Sequence, residues 1–134
     1  MSKTVLVVDD ETDFRTSVRD LLGLHGYQVA EASNGLEALR VLAKERVAIL
    51  MTDLFMPRMD GIELLRQVRR SRAPLPGIIA VTGETHLGRQ TTIAAASLLG
   101  AQVVLIKPFT TDQLLDAIAA ATTAADAAQR NVHS

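Results

Sequence analysis

Five polar residues close otherwise apolar runs, and their types point to one chemistry. Asp9 and Asp10 end VLVVDD, Asp53 ends AILMTD, Thr82 ends IIAVT and Lys107 ends VVLIK. A carboxylate buried without a partner costs several kcal/mol even after relaxation, so an acid at the end of such a run needs a partner or a task. Brought together, three carboxylates cannot all ionise comfortably without a cation, because like charges raise one another's pKa. Oxygen donors with no histidine or cysteine among them favour a hard ion, Mg2+ before Ca2+. A lysine on the same edge suits a phosphate-sized anion arriving beside the metal. Taken singly, each residue has a duller explanation. An acid after a strand usually caps a helix, and Lys-Pro usually makes a turn. Only the joint placement carries the chemical reading.

Ten elements must hold these residues. Strands are expected over residues 4–8, 28–32, 48–52, 78–81 and 103–106, each short and apolar. Between them, Val18, Leu21, Leu22 and His25 keep helical spacing until Gly26 stops the first helix. Asn34 to Glu37 resembles a capping box and opens a helix through Leu36, Leu39, Val41 and Leu42. Ile62, Leu64, Leu65 and Val68 mark a third helix, ended by an arginine-rich stretch and by Pro74 and Pro76. A fourth is expected over 86–99 before Gly100, and a second capping box, Thr110 to Gln113, opens an Ala-rich fifth helix that ends near Arg130. Strands apolar throughout are buried on both faces, which implies a parallel sheet flanked by helices. In such a sheet the carboxyl ends of all strands share one edge, where ligands bind at the point of strand-order reversal. If the first and third strands are neighbours there, Asp9, Asp10 and Asp53 converge.

Bulk properties narrow the function further. At 134 residues, 48% hydrophobic and 22% charged, the chain has the size and composition of one globular domain. A net charge of −1 gives no electrostatic footprint for nucleic acid or an anionic membrane. The absence of cysteine excludes disulfides and thiolate metal sites. No signal peptide or membrane-spanning run is present, so a cytoplasmic protein is expected.

The acid pair in VVDDE, Asp53 in DLFMPRMDG, Thr82 in AVTG and Lys107 in IKPF resemble, in that order and spacing, the receiver domain of bacterial two-component response regulators. The resemblance covers essentially the whole chain. It implies a (βα)5, flavodoxin-like, doubly wound α/β fold with strand order 2-1-3-4-5. It implies that Asp53 is the phosphoacceptor, taking a phosphoryl group from a sensor histidine kinase, a phosphotransfer protein or a small acyl phosphate. Asp10 then binds Mg2+ directly, Asp9 through water, and the backbone carbonyl of Phe55 completes the protein ligands. Lys107 pairs with the phosphoryl oxygens, Thr82 reaches them after phosphorylation, and Lys107-Pro108 is cis. Phe55 and Glu84 flank the phosphoryl group, Phe55 weakly obstructing water. A domain of this kind assists its own phosphorylation and dephosphorylation and is a signalling module, not an enzyme. The receiver is expected over residues 1–130 with a disordered tail at 131–134, to stand alone without an output domain, and to signal by docking on a downstream protein.

Three alternatives compete with this reading. A flavodoxin-like cofactor binder needs a Ser-, Thr- and Gly-rich phosphate loop where this chain has DDETD. A Mg2+-dependent aspartyl phosphohydrolase carries its acids two residues apart, whereas Asp9 and Asp10 are adjacent. A non-phosphorylated interaction module has no need of the residues that are all present. Elsewhere the plain explanation is adopted: His25 ends a helix, His133 lies in a tail, and Arg66, Arg69, Arg70 and Arg72 form a solvated face. One departure from the family stands out. Val104 occupies the position, three before Lys107, where most receivers have an aromatic switch residue. The switching movement is therefore expected within residues 82–100, including the stretch from Gly83 to Gly88.

Overall fold

Backbone pairing between parallel strands organises the chain. The computed structural model describes residues 3–71, 75–83 and 89–132. Strands β1 (Thr4–Val8), β2 (Gln28–Ala32), β3 (Ile49–Asp53), β4 (Gly77–Gly83) and β5 (Val103–Lys107) alternate with helices α1 (Thr12–Leu24), α2 (Gly35–Lys44), α3 (Gly61–Arg70), α4 (Arg89–Leu98) and α5 (Thr111–Val132). Every pairing is parallel and the order is β2-β1-β3-β4-β5, as the family resemblance implied.

Successive strand residues face opposite sides of the sheet, and both sides are apolar. Val5, Val7, Ile49, Met51, Ile79, Val81 and Leu105 pack with Val18 and Leu22 of α1 and with Leu114 and Ile118 of α5. Leu6, Val8, Leu50, Ile78 and Ala80 pack with Ala38 of α2, Leu64, Leu65 and Val68 of α3 and Ala96 of α4. Each fully buried Leu or Ile contributes about 1.5–3 kcal/mol of transfer free energy. Two packed layers of this size hold the sheet edge rigid.

Local signals set the helix ends. At α5 the box is reciprocal: Gln113 N donates to Thr110 Oγ1 at 3.1 Å and Thr110 N to Gln113 Oε1 at 2.8 Å. At α2, Glu37 N donates to Asn34 Oδ1 at 3.0 Å, but the Glu37 carboxylate turns to Ser33, accepting from its N–H at 2.7 Å and its hydroxyl at 2.8 Å. Asp60 caps α3, accepting from Glu63 N at 2.9 Å. Gly26 (φ 89°) and Gly100 (φ 95°) close α1 and α4 in the left-handed region.

Several boundaries differ from expectation. β3 starts at Ile49 and takes in Asp53; β4 runs to Gly83 and takes in Thr82; β5 takes in Lys107. A strand ends where its ladder partner ends, not where side chains turn polar. Asp53 pairs with Val81, Thr82 with Ile106 and Gly83 with Lys107, so the polar residues remain in the ladder. α5 reaches Val132, two residues beyond the expected boundary at 130, while His133 and Ser134 lie outside the described residues. So do Arg72, Pro74, Glu84 and the 86–88 start expected for α4. Arg66, Arg69 and Arg70 are exposed as expected, but Arg69 also donates to the carbonyl of Leu98, tying α3 to the end of α4. Val104 sits on β5 opposite Ala80. Among the described residues no helix is long and apolar enough to cross a membrane.

Candidate functional site

β1, β3, β4 and β5 deliver their carboxyl ends to one edge, and each of the five sequence-selected side chains stands there. Asp9 follows β1, tied by its N–H to Ala32 O at 3.1 Å, with its side chain only 1% exposed. Its Oδ1 accepts from Glu11 N at 2.9 Å and its Oδ2 from Lys107 Nζ at 2.9 Å. Asp10 is exposed at the mouth. Asp53, 8% exposed, ends β3; its Oδ1 accepts from Phe55 N at 3.1 Å and its Oδ2 lies 3.5 Å from Lys107 Nζ. Thr82, 3% exposed, stands on the neighbouring β4 with its hydroxyl donating weakly to Gly83 O at 3.3 Å. Lys107-Pro108 is cis, as the resemblance implied.

One carboxylate oxygen from each of Asp9, Asp10 and Asp53 lies within 4.8 Å of the other two. That spacing, with oxygen donors alone, fits a single hard divalent cation. The electrostatics follow from burial and crowding. Burial raises the Asp53 carboxyl above its usual pKa, and the charge of Asp9 adds to the rise, against the Phe55 N–H and Lys107. Burial alone would lower the Lys107 ammonium, but the hydrogen bond to Asp9 and the charges of Asp9 and Asp53 outweigh it and raise its pKa. Lys107 is thus a firmly charged group between two acids.

The close approach of α3 to Asp53 explains Gly61. A Cβ there would overlap the carbonyl oxygen of Asp53, so the first residue of α3 lies directly on the main chain at the end of β3.

Four residues of the site were not singled out from sequence. Glu11 Oε1 accepts from Lys107 Nζ at 3.3 Å. Arg15 donates to the main-chain carbonyl of Asp9 at 2.6 Å and pairs through Nε with Glu31 at 3.1 Å, bracing the turn after β1. The ring centroid of Phe14 lies 4.1 Å from Lys107 Nζ, and Phe109 meets Phe14 edge to face at 5.7 Å. A signal for the rings existed. The chain holds three phenylalanines, and all follow a motif residue closely: Phe14 after Asp10, Phe55 after Asp53 and Phe109 after Lys107.

The family model for the response regulator receiver domain matches residues 5–119. This chain belongs to the response regulator receiver domain family. It is 38% identical over 115 residues to the response regulator MprA of Mycobacterium ulcerans (strain Agy99), covering 86% of this chain and 48% of MprA. It therefore spans about half the length of that relative. It is 34% identical over 118 residues to sporulation initiation phosphotransferase F of Bacillus subtilis (strain 168), covering 88% of this chain and 92% of that protein. The chemotaxis response regulator CheY4 of Vibrio cholerae superposes with a TM-score of 0.81 at 32% identity, over 90% of this receiver and 99% of that chain. Receiver domains are signalling modules that bind Mg2+ in an acidic pocket and interact with histidine kinases or phosphotransfer proteins.

Proposed function

We propose that this receiver accepts a phosphoryl group on Asp53 from a phosphohistidine of a sensor kinase or phosphotransfer protein, and thereby switches a surface that docks on a downstream protein. The observation that carries the reading is the convergence on Asp53 of one ammonium, Lys107 at 3.5 Å, and two further carboxylates, Asp9 and Asp10. With the donor's other ring nitrogen protonated, an Asp53 oxygen attacks phosphorus as the N–P bond breaks. The bond's electron pair stays on the donor nitrogen and the ring proton is kept, leaving an acyl phosphate on Asp53 and a neutral imidazole on the donor. Asp10 would hold Mg2+ directly, with Asp53, the Phe55 carbonyl and, through water, Asp9. The ion, when bound, neutralises charge on the incoming phosphoryl group.

The chain's own groups do the rest by position and charge. Phe55 N–H holds one oxygen of Asp53, leaving the other beside Lys107. Lys107 moves from the carboxylates to the phosphoryl oxygens. Thr82 exchanges its long bond to Gly83 O for a phosphoryl oxygen. Such a receiver promotes its own phosphorylation and dephosphorylation without turning over a separate substrate, and works in the cytoplasm.

The test is intact-mass spectrometry after incubation with acetyl phosphate and Mg2+. The parent should gain one labile phosphoryl adduct and Asp53→Asn none, because an amide is a poor nucleophile. An undiminished adduct on Asp53→Asn would move the acceptor elsewhere, with Asp10 first in line.

A further inference from the structure

Lys107 makes one contact that its ionic role does not require. Its ammonium is shared by Asp9 Oδ2 at 2.9 Å, Glu11 Oε1 at 3.3 Å and Asp53 Oδ2 at 3.5 Å, and it also stands 4.1 Å from the centroid of the Phe14 ring. We infer that Phe14 is a positioning residue whose ring keeps the Lys107 ammonium beside Asp53 when its ionic partners change. The inference rests on the reading of Lys107 as the phosphoryl-binding group.

Phosphoryl transfer and metal binding alter Asp53 and Asp9, but neither the exposed Glu11 nor the ring. Asp53 loses its carboxylate on forming the acyl phosphate, and a divalent cation shared by Asp9 and Asp10 would offset their charge. Glu11 is well exposed and would draw the lysine outward on its flexible four-carbon stem. The attraction between a cation and a ring face comes from the ring's fixed quadrupole, which neither event touches. Phe109 orients that ring, meeting it at an interplanar angle of 86°. Because Phe109 lies two residues after Lys107, the turn that carries the lysine also sets its aromatic support. Phe14 is only partly buried against the α1–α5 layer of the core, a packing role that leucine could fill. Leucine in place of Phe14 therefore separates packing from the ring's electrostatics.

The experiment compares the parent chain with Phe14→Leu and Phe14→Tyr. In metal-free protein the Lys107 ε-methylene protons, assigned through Lys107→Arg, should be shifted upfield by ring current in the parent and Phe14→Tyr, and not in Phe14→Leu. With Mg2+, Phe14→Leu should need roughly three- to tenfold more acetyl phosphate for half-maximal phosphorylation, while Phe14→Tyr stays near the parent. If Phe14→Leu melts well below the parent, Phe109→Leu, which frees the ring without removing it, should show a smaller rise in the same direction. An unshifted methylene in the parent, or equal acetyl phosphate dependence for leucine and tyrosine variants, overturns the inference. A parent that takes up no phosphoryl group overturns the function assigned to the site, and the methylene shift then still reports whether the ring holds the lysine.

Discussion

Gly61 lies against Asp53 so closely that a Cβ on it would overlap the Asp53 carbonyl oxygen and stand 2.7 Å from the Cα of Leu54. The obstacle is backbone, and α3 is pinned there by the Asp60 cap and by Gly61 N donating to Leu54 O at 3.1 Å. Gly61→Ala must therefore push β3 or lift the helix, at a cost of about 2–3 kcal/mol. Urea denaturation should show that loss, and phosphorylation by acetyl phosphate should slow with it. Unchanged stability would mean that α3 shifts freely against β3.

Metal linkage gives a second expectation. Three acids crowded within 4.8 Å destabilise one another until a cation shares them. Mg2+ at about a hundredfold its Kd should stabilise the receiver by ~2.7 kcal/mol, seen as a higher melting temperature. Asp10→Ala should abolish that rise and make the metal-free protein no less stable than the parent. Equal Mg2+ shifts in parent and variant would remove Asp10 from the ligand set.

Burial of Asp53 sets a pH dependence. Burial first, and then the charge of Asp9, hold its carboxyl above the usual pKa. A group so shifted binds its proton more tightly folded than unfolded. Its contribution to stability is complete below the unfolded value, about 3.9 for Asp, and is lost as pH rises through the raised folded value. Asparagine has no proton to lose. In chelator-treated protein Asp53→Asn should thus melt with the parent at the acid end and above it at neutral pH. Parallel melting curves across the whole range would show that the buried charge costs nothing.

Much of this architecture was legible one segment at a time. The apolar runs ending at Asp9, Asp53, Thr82 and Lys107 identified buried parallel strands, and the Thr110–Gln113 box formed as read. Such features depend on residues within a few positions of one another, so the local pattern specifies them. Asp9 and Lys107 were chosen from the same pattern. Their separate placement at strand ends was readable, and the family resemblance supplied the strand order that brings them together.

Tertiary structure decided what lies across elements. Lys107 meets Glu11 across 96 positions and the Phe14 ring from another helix, and no local period encodes either distance. Arg15 on the Asp9 carbonyl and Arg69 on the end of α4 depend likewise on how packed elements abut. Strand lengths belong to this group, because Thr82 and Lys107 stay in the sheet only while each has a paired neighbour. The burial of the apolar strand runs follows from their own chemistry. A contact between two side chains is a property of the crossovers and the register, fixed only once both layers of the core have closed on the sheet.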